Sequence, residues 1–190
     1  MSRGLTGRQQ LAIVAVCVAV LGGVLFLSTK LIGNEMFLVS IGSVAPEFHA
    51  TTVDSAKARP KNRRMNDYRG SVVLLSVWAT WCKPCIVEMP SIERLYQDYG
   101  PRGLKVVAVS IDDPGTDDVI RAFAQQHGLT FEILHDPTGA IEKDYQTTGV
   151  PETFVIGRDG VIRKKIIGAS DWDSQGDRAL IAQLLRESAG

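Results

Sequence analysis

The sequence predicts an α/β fold in which a central mixed sheet is flanked by helices, preceded by one N-terminal transmembrane helix. Strand-like apolar runs alternate with amphipathic helix-like runs after residue 41, and this order implies parallel strands joined by crossovers. A hairpin pattern near the C-terminus adds antiparallel strands. An uncharged run of about 19 residues spans 11–29, close to the ~20 that a helix needs to cross a bilayer.

Length and charge limit the domain organisation. The chain has 190 residues with 21 basic and 21 acidic side chains, enough for one globular domain of about 150 residues and an appendage. Because there is no basic excess, nucleic acid is not an implied partner. We expect a short basic tail at 1–10, a signal-anchor at 11–29, a linker at 30–40 and the globular domain at 41–190.

The anchor is expected to hold the protein in the cytoplasmic membrane as a single-pass protein. Arg3 and Arg8 precede the apolar run and Lys30 alone follows it directly, which favours a cytoplasmic N-terminus and a C-terminal domain facing the periplasm or the cell exterior. A cleaved signal peptide is the alternative, but no convincing cleavage site follows Leu27. Cys17 is interpreted as an ordinary apolar-face residue.

The segment that carries the chemistry is Trp-Cys-Lys-Pro-Cys at 81–85. Two cysteines separated by two residues can close into a disulfide or open into a dithiol. Cys82 is at the start of a predicted helix, where unpaired N–H groups and the helix dipole favour an anion and lower the pKa of a thiol. We therefore expect Cys82 to be the nucleophile and Cys85 to resolve the mixed disulfide.

The neighbours of the cysteines favour redox chemistry over a metal site. Lys83 adds a positive charge that also stabilises a thiolate, and the φ of Pro84 suits a first helical turn. A zinc half-site is the alternative, but zinc takes four ligands and no second cysteine pair is present, so no metal is expected. A c-type haem site is excluded because Ile86, not histidine, follows Cys85.

Two motifs resemble those of the TlpA/ResA-type (CcmG/DsbE-like) membrane-anchored thioredoxin-like proteins. The first is Val-Trp-Ala-Thr-Trp-Cys-Lys-Pro-Cys at 77–85, followed by Glu-Met-Pro at 88–90. The second, about 65 residues further on, is Gly-Val-Pro-Glu-Thr-Phe at 149–154, similar to the family's cis-proline loop. The resemblance implies a thioredoxin-like fold and a thiol-disulfide oxidoreductase, a protein disulfide reductase that needs no cofactor beyond its redox-active disulfide.

The resemblance also implies further site residues. Glu88 is associated in this family with proton transfer to the thiols, and spacing alone leaves a solvated helix residue as the alternative. Pro151 matches the cis-proline, so with Val150 it would offer a backbone edge to the substrate. Glu152 resembles the Gly-x-Pro-Glu loop of CcmG-type reductases and would tune a thiol or touch substrate, against an ordinary surface residue. Trp81 is expected to join the docking surface.

Ser76 and the three histidines are the other candidates for proton handling. Ser76 stands where thioredoxin, by resemblance, carries a buried aspartate, so the proton-handling acid must come from elsewhere. His49, His127 and His135 lie at element ends or in the opening segment without ligand-like partners. Solvated or capping roles are expected for all three histidines.

Local patterns give the remaining elements. The run at 71–78 is nearly continuous apolar and β-branched, typical of a central strand covered on both faces. A basic stretch at 57–69 is predicted to be a solvated loop. The other expected elements are strands at 49–53, 104–111, 131–134, 153–156 and 161–167, a turn at 112–115, and helices at 83–99, 116–126 (with Val119, Ile120 and Phe123 inward), 138–145 and 174–188.

Together these observations predict a membrane-tethered oxidoreductase that reduces protein disulfides outside the cytoplasmic membrane. The resemblance implies cytochrome c maturation, with the disulfide of an apocytochrome c haem-attachment motif as substrate and a membrane reductase of the DsbD or CcdA type as electron donor. Three alternatives remain open: a general periplasmic disulfide reductase, a peroxide-reducing redoxin, and a non-enzymatic assembly factor or holdase.

Overall fold

A computed structural model describes residues 7–32, 39–53 and 60–187. The chain divides into two units, the second of which begins at Val39. The first contains helix α1 (Gly7–Ile32), which starts inside the expected tail and ends inside the expected linker. The rest of the tail (1–6) and residues 33–38 of the linker lie outside the described residues. Across the part of the chain that the structure describes, no helix is long and apolar enough to span a membrane.

The second unit is built on a mixed sheet of seven strands, as the alternating pattern predicts. Strand bounds are β1 (His49–Thr52), β2 (Asn62–Arg64), β3 (Val72–Trp78), β4 (Leu104–Ser110), β5 (Glu132–His135), β6 (Glu152–Ile156) and β7 (Ile162–Ile167). Their order across the sheet is β2-β1-β5-β4-β3-β6-β7. β3, β4 and β5 run parallel, and all other neighbours are antiparallel. The strand from the apolar run at 71–78 is therefore central.

Helices cover both faces of this sheet: α2 (Lys83–Tyr99), α3 (Asp117–Gln126), α4 (Ala140–Asp144) and α5 (Gln175–Arg186). Alternate residues of β3 serve different faces, so Leu74 and Trp78 pack with α2, α3 and α5, whereas Leu75 packs on the side of α4. Every residue of β3 is buried. In α3 the expected Ile120 and Phe123 point inward, but Val119 is 53% exposed, so its expected inward position is wrong.

The expectation of a solvated loop at 57–69 is also wrong where it can be checked. Residues 54–59 lie outside the described part, but β2 and a 3-10 turn at Met65–Tyr68 follow, and both Met65 and Tyr68 are buried. Hydrogen bonds to Glu132 on β5 explain why this segment packs against the sheet. The Glu132 carboxylate accepts the Tyr68 hydroxyl at 2.7 Å and the Arg63 Nε–H at 2.8 Å. The basic charge of the segment thus pairs with an acid on β5 instead of only facing solvent.

Helix α2 offers a direct test of its buried stripe. Replacing Ile92, which is 0% exposed, with alanine should lower the free energy of unfolding by about 2–5 kcal/mol, because methylene burial is lost and a cavity remains. Val87→Ala on the same helix is the control. Val87 is 75% exposed, so the change should stay within about 0.5 kcal/mol. Urea denaturation measures both, and equal losses would contradict the assigned faces of α2.

Candidate active site

Three chain segments meet at one edge of the sheet. β3 ends at Trp78 and leads into the dithiol, and the parallel strand β4 ends beside it, with Ser110 paired to Trp78. β6 runs antiparallel to β3 with Glu152 opposite Val77, so the loop that precedes β6 lies at this edge too. The two motifs that are far apart in sequence are therefore brought to the same place by strand register.

The dithiol is closed as a Cys82–Cys85 disulfide. Cys82 is the N-cap residue of α2, and its Sγ accepts a hydrogen bond from the Cys85 backbone N–H at 3.1 Å. Cys82 retains 4% exposure whereas Cys85 has none. The helix N-terminus is thus directed at the sulfur that solvent can still reach, which fits attack by Cys82 and resolution by Cys85.

The residues expected to dock substrate surround this sulfur. The Trp81 side chain is 65% exposed, and Lys83 and Pro84 are also exposed. In the second motif Val150 is half-buried, Pro151 is buried, and the bond between them is cis. Val87, one turn into α2, is exposed as well and was not singled out from the sequence, because its position on the buried or open face depends on helix packing.

Glu88 is buried, so the alternative of a solvated helix residue is wrong. Its side chain is 1% exposed, and it follows the fully buried Cys85 by three residues, which places the two on neighbouring surface of α2. Oε2 accepts the backbone N–H of Ser170 at 3.3 Å, while Oε1 has no hydrogen-bond partner among the described residues. Removal from water is the main cause that raises the pKa of Glu88, to about 7.

The loop after β7 completes the pocket around Glu88. The Ser170 amide, the Trp172 indole and the Ser76 hydroxyl lower the pKa of Glu88, but less than burial raises it. Neither Trp172 nor Ser76 makes a hydrogen bond of ordinary geometry to Oε1. Trp172 is 0% exposed. No sequence pattern places Ser170 or Trp172 in the site, because a loop far along the chain contributes them.

Glu152 is buried as well, so the alternative interpretation of an ordinary surface residue is wrong. It is 0% exposed, and its Oε1 lies 2.8 Å from the Nζ of Lys165 in an ion pair. Oε2 accepts the Thr148 backbone N–H at 3.1 Å. Because Glu152 is opposite Val77, its side chain is on the sheet face away from α2. It therefore holds the loop at 148–151 and does not face the thiols.

Comparison with known proteins agrees with this geometry. Residues 41–165 match the AhpC/TSA family. Thiol-disulfide oxidoreductase ResA of Geobacillus thermodenitrificans is 36% identical over 135 residues, 71% of this chain and 74% of that protein. The thioredoxin-like protein YneN of Bacillus subtilis is 39% identical over 128 residues, 67% of this chain and 71% of that protein.

A solved structure extends the likeness to the fold. The protein from Chlorobium tepidum proposed to be thiol:disulfide interchange protein DsbE has a TM-score of 0.67 at 30% identity, covering 78% of this chain and 99% of that one. This likeness confirms the expected thioredoxin-like fold. The chain therefore belongs to the AhpC/TSA family and to the ResA-type thiol-disulfide oxidoreductases.

Proposed function

We propose that this oxidoreductase acts as a reductant of protein disulfides. The observation that carries the proposal is the pairing of one reachable sulfur at a helix N-terminus with one fully buried sulfur beside a carboxyl of raised pKa. The Cys82 thiolate attacks a substrate disulfide, and the displaced substrate sulfur leaves as a thiolate that takes up a proton. The Cys85 thiolate then attacks Cys82 Sγ and releases the second substrate thiol, so two electrons pass to the substrate.

In this cycle Glu88 accepts the proton that Cys85 must lose before it can attack. A carboxyl with a pKa near 7 is divided between its acid and base forms at neutral pH, as a proton carrier requires. Glu88 follows Cys85 by about one turn of α2, and this neighbouring position fits that role. Ser76, where the resemblance puts an aspartate in thioredoxin, has no titratable group to do so.

The exposed surface around Cys82 would receive the substrate. Trp81 offers an apolar face, Lys83 and Pro84 border the sulfur, and the backbone at Val150 and Pro151 offers an edge to an extended segment. Glu152 contributes indirectly, by fixing that loop through Thr148. No cofactor other than the Cys82–Cys85 pair is needed for this exchange.

We propose that the substrate is the disulfide of an apocytochrome c haem-attachment motif, in cytochrome c maturation outside the cytoplasmic membrane. Electrons would return from a membrane protein of the DsbD or CcdA type.

The uncharged run at 11–29 with its preceding arginines supports tethering of the domain with its C-terminal unit on the periplasmic or outer side. Resistance of the membrane-bound chain to alkaline carbonate extraction tests the tether. A general periplasmic reductase differs from this proposal only in accepting disulfides of unrelated sequence equally well.

Peroxide reduction is the second candidate, favoured by the AhpC/TSA match. Peroxiredoxins, however, place a Pro-x-x-x-Thr-x-x-Cys loop at the reactive cysteine. The corresponding positions before Cys82 are Leu75, inside a buried strand, and Ala79. The site therefore lacks the residues that such a loop supplies, and we favour disulfide exchange.

Trapping should separate the roles of the two cysteines. Reduced Cys85→Ser protein, mixed with a Cys-x-x-Cys-His peptide disulfide, should accumulate a mixed disulfide at Cys82, because the resolving thiol is missing. Cys82→Ser should form none at Cys85, since Cys85 is 0% exposed. Mass spectrometry without reductant reads both. Unchanged function of Cys82→Ser would indicate a holdase, and rapid turnover of hydrogen peroxide by the wild type would favour the redoxin.

The direction of electron flow is tested by the reduction potential of the protein in glutathione or dithiothreitol buffers. A value near or below about −270 mV is expected for a dedicated reductant. Free thiols are trapped and counted after equilibration. A value near roughly −120 mV, typical of strong oxidants, would overturn the reducing direction while leaving the exchange chemistry intact.

Glu88→Gln should slow release of the mixed disulfide by about 100-fold, since a general base is lost. The pKa of Glu88 is about 7, so the wild-type release rate should rise with pH through that value, because only the carboxylate accepts a proton. The variant should lack this step. Stopped-flow measurement from pH 5 to 9 checks it, with Glu93→Gln on the same helix as the control. A retained step would assign it to another group.

The pH dependence of the free energy of unfolding is an independent test of the raised pKa of Glu88. Burial raises the pKa of Glu88 from 4.5 to about 7, so the folded chain holds this proton more tightly than the unfolded chain. The free energy of unfolding should therefore fall as pH rises from about 4.5 to 7, by roughly 3 kcal/mol from this group. In Glu88→Gln that fall should be absent. If the free energy of unfolding has the same pH dependence in both proteins, the pKa of Glu88 is not raised on folding and the prediction fails.

A further inference from the structure

A second carboxylate is buried at the sheet edge that carries the dithiol. Asp112 follows β4 and is 3% exposed. The sequence presented it only as the first residue of a turn. Since β4 pairs in parallel with β3, the residues just after these two strands are neighbours. Asp112 thus lies beside the loop at 79–82 that leads into α2.

Three hydrogen bonds converge on the Asp112 carboxylate. Oδ2 accepts the backbone N–H of Thr80 at 2.9 Å and the hydroxyl of Ser110 at 2.6 Å. Oδ1 accepts the Thr80 hydroxyl at 2.6 Å. Two of the three donors belong to one residue, so the carboxylate fixes both the main chain and the side chain of Thr80.

The main chain of Asp112 is itself anchored. One ring nitrogen of His135, at the end of β5, lies 2.9 Å from the Asp112 carbonyl oxygen, and the other lies 2.6 Å from Oδ1 of Asp117. His135 is 4% exposed, so of the solvated or capping roles expected from the sequence, the solvated role is wrong. Through His135, both β5 and the first turn of α3 therefore fix the position of Asp112, which in turn binds Thr80.

Thr80 in turn is two residues from the reactive sulfur. The Cys82 backbone N–H donates to the Ala79 carbonyl at 3.2 Å, so residues 79–82 form one tight turn. Trp81 in this turn is 65% exposed and receives little packing of its own. The Cys82–Cys85 bond is a covalent link across the first turn of α2 that reduction removes, whereas the bonds from Thr80 to Asp112 involve neither sulfur.

We propose that Asp112 is a positioning residue for the exchange reaction: through Thr80 it fixes the turn that presents Trp81 to the substrate and keeps Cys82 Sγ at the N-terminus of α2. The inference rests on the reductase function proposed above. It adds Asp112, which neither motif includes, and gives a role to Thr80, which the first motif contains without an assigned function. Its physical basis is preorganisation, since a thiolate gains from the helix N-terminus only while it stays there.

The chain contains a matched control. Asp136 follows β5, is 3% exposed, and accepts the Thr138 N–H at 3.1 Å, the Thr138 hydroxyl at 2.5 Å and the Ile141 N–H at 2.8 Å. This is the same arrangement of a buried carboxylate and a threonine. It holds the start of α4, however, and not the dithiol turn. Weakening it should affect stability without changing thiol chemistry.

The test compares Thr80→Val, Thr80→Ser and Asp136→Asn in the full chain. Thr80→Val keeps the shape and the backbone bond but removes the hydroxyl bond, so the reduced protein should react with a Cys-x-x-Cys-His peptide disulfide about tenfold more slowly. The pH midpoint of Cys82 alkylation should move upward, because the thiolate is less well held. Thr80→Ser should restore both, and Asp136→Asn should lower only the thermal midpoint. Asp112→Asn, if it folds, should follow Thr80→Val.

A Thr80→Val protein with wild-type rate and alkylation midpoint but a lower thermal midpoint would overturn the inference, because the bond would then be structural only. Equal kinetic losses in Thr80→Val and Asp136→Asn would also overturn it. The alkylation midpoint needs no substrate. It therefore decides the role of Thr80 even if the wild type fails to reduce the peptide, a result that would count against the proposed reductase alone.

Discussion

The site depends on the parallel pairing of β3 with β4, which keeps register from Val72 and Leu104 to Trp78 and Ser110. Parallel strands end at a common edge, and in open α/β sheets such edges are where sites form. Here the edge receives the N-terminus of α2 from one strand and Asp112 from the other. The antiparallel strand β6 then brings its loop to the same edge from the opposite direction. No single loop makes the site.

Three of the buried carboxyl groups at or near this edge, those of Asp112, Glu152 and Glu88, are satisfied to different degrees. Asp112 accepts three hydrogen bonds, and Glu152 has the ammonium of Lys165 and one backbone amide. Within the described part of the chain, Glu88 accepts one long hydrogen bond, from the Ser170 N–H at 3.3 Å. A buried carboxylate without compensation is unstable, so the proton stays on Glu88 at a higher pH than usual. The least satisfied carboxyl is therefore the one next to the resolving cysteine, where a proton must be exchanged.

Much of the fold follows from short-range patterns in the sequence. Apolar periodicity identifies the central strand β3 and helix α2, and the paired cysteines with Glu88 identify the chemical centre. Contacts between distant residues are invisible to such patterns. Only the order of the strands in the sheet reveals three such contacts: the hydrogen bond of Tyr68 to Glu132, the position of Trp172 beside Glu88, and the hydrogen bonds of Thr80 to Asp112. Sequence reasoning therefore found the reacting groups, whereas the structure supplies the groups that tune and hold them.

The burial of Trp172 gives the protein an optical consequence. Its indole lies beside the Glu88 carboxyl and under the Lys164 ammonium, whose Nζ is 5.3 Å from the ring centre. Indole emission responds to nearby charge, so light emitted from inside the domain carries information on whether that carboxyl is ionised. Trp81 is 65% exposed, whereas Trp78 and Trp172 are 0% exposed, so a quencher dissolved in water suppresses emission from Trp81 and leaves that of the two buried indoles. The domain thus contains an intrinsic fluorophore at the point where its proton is stored.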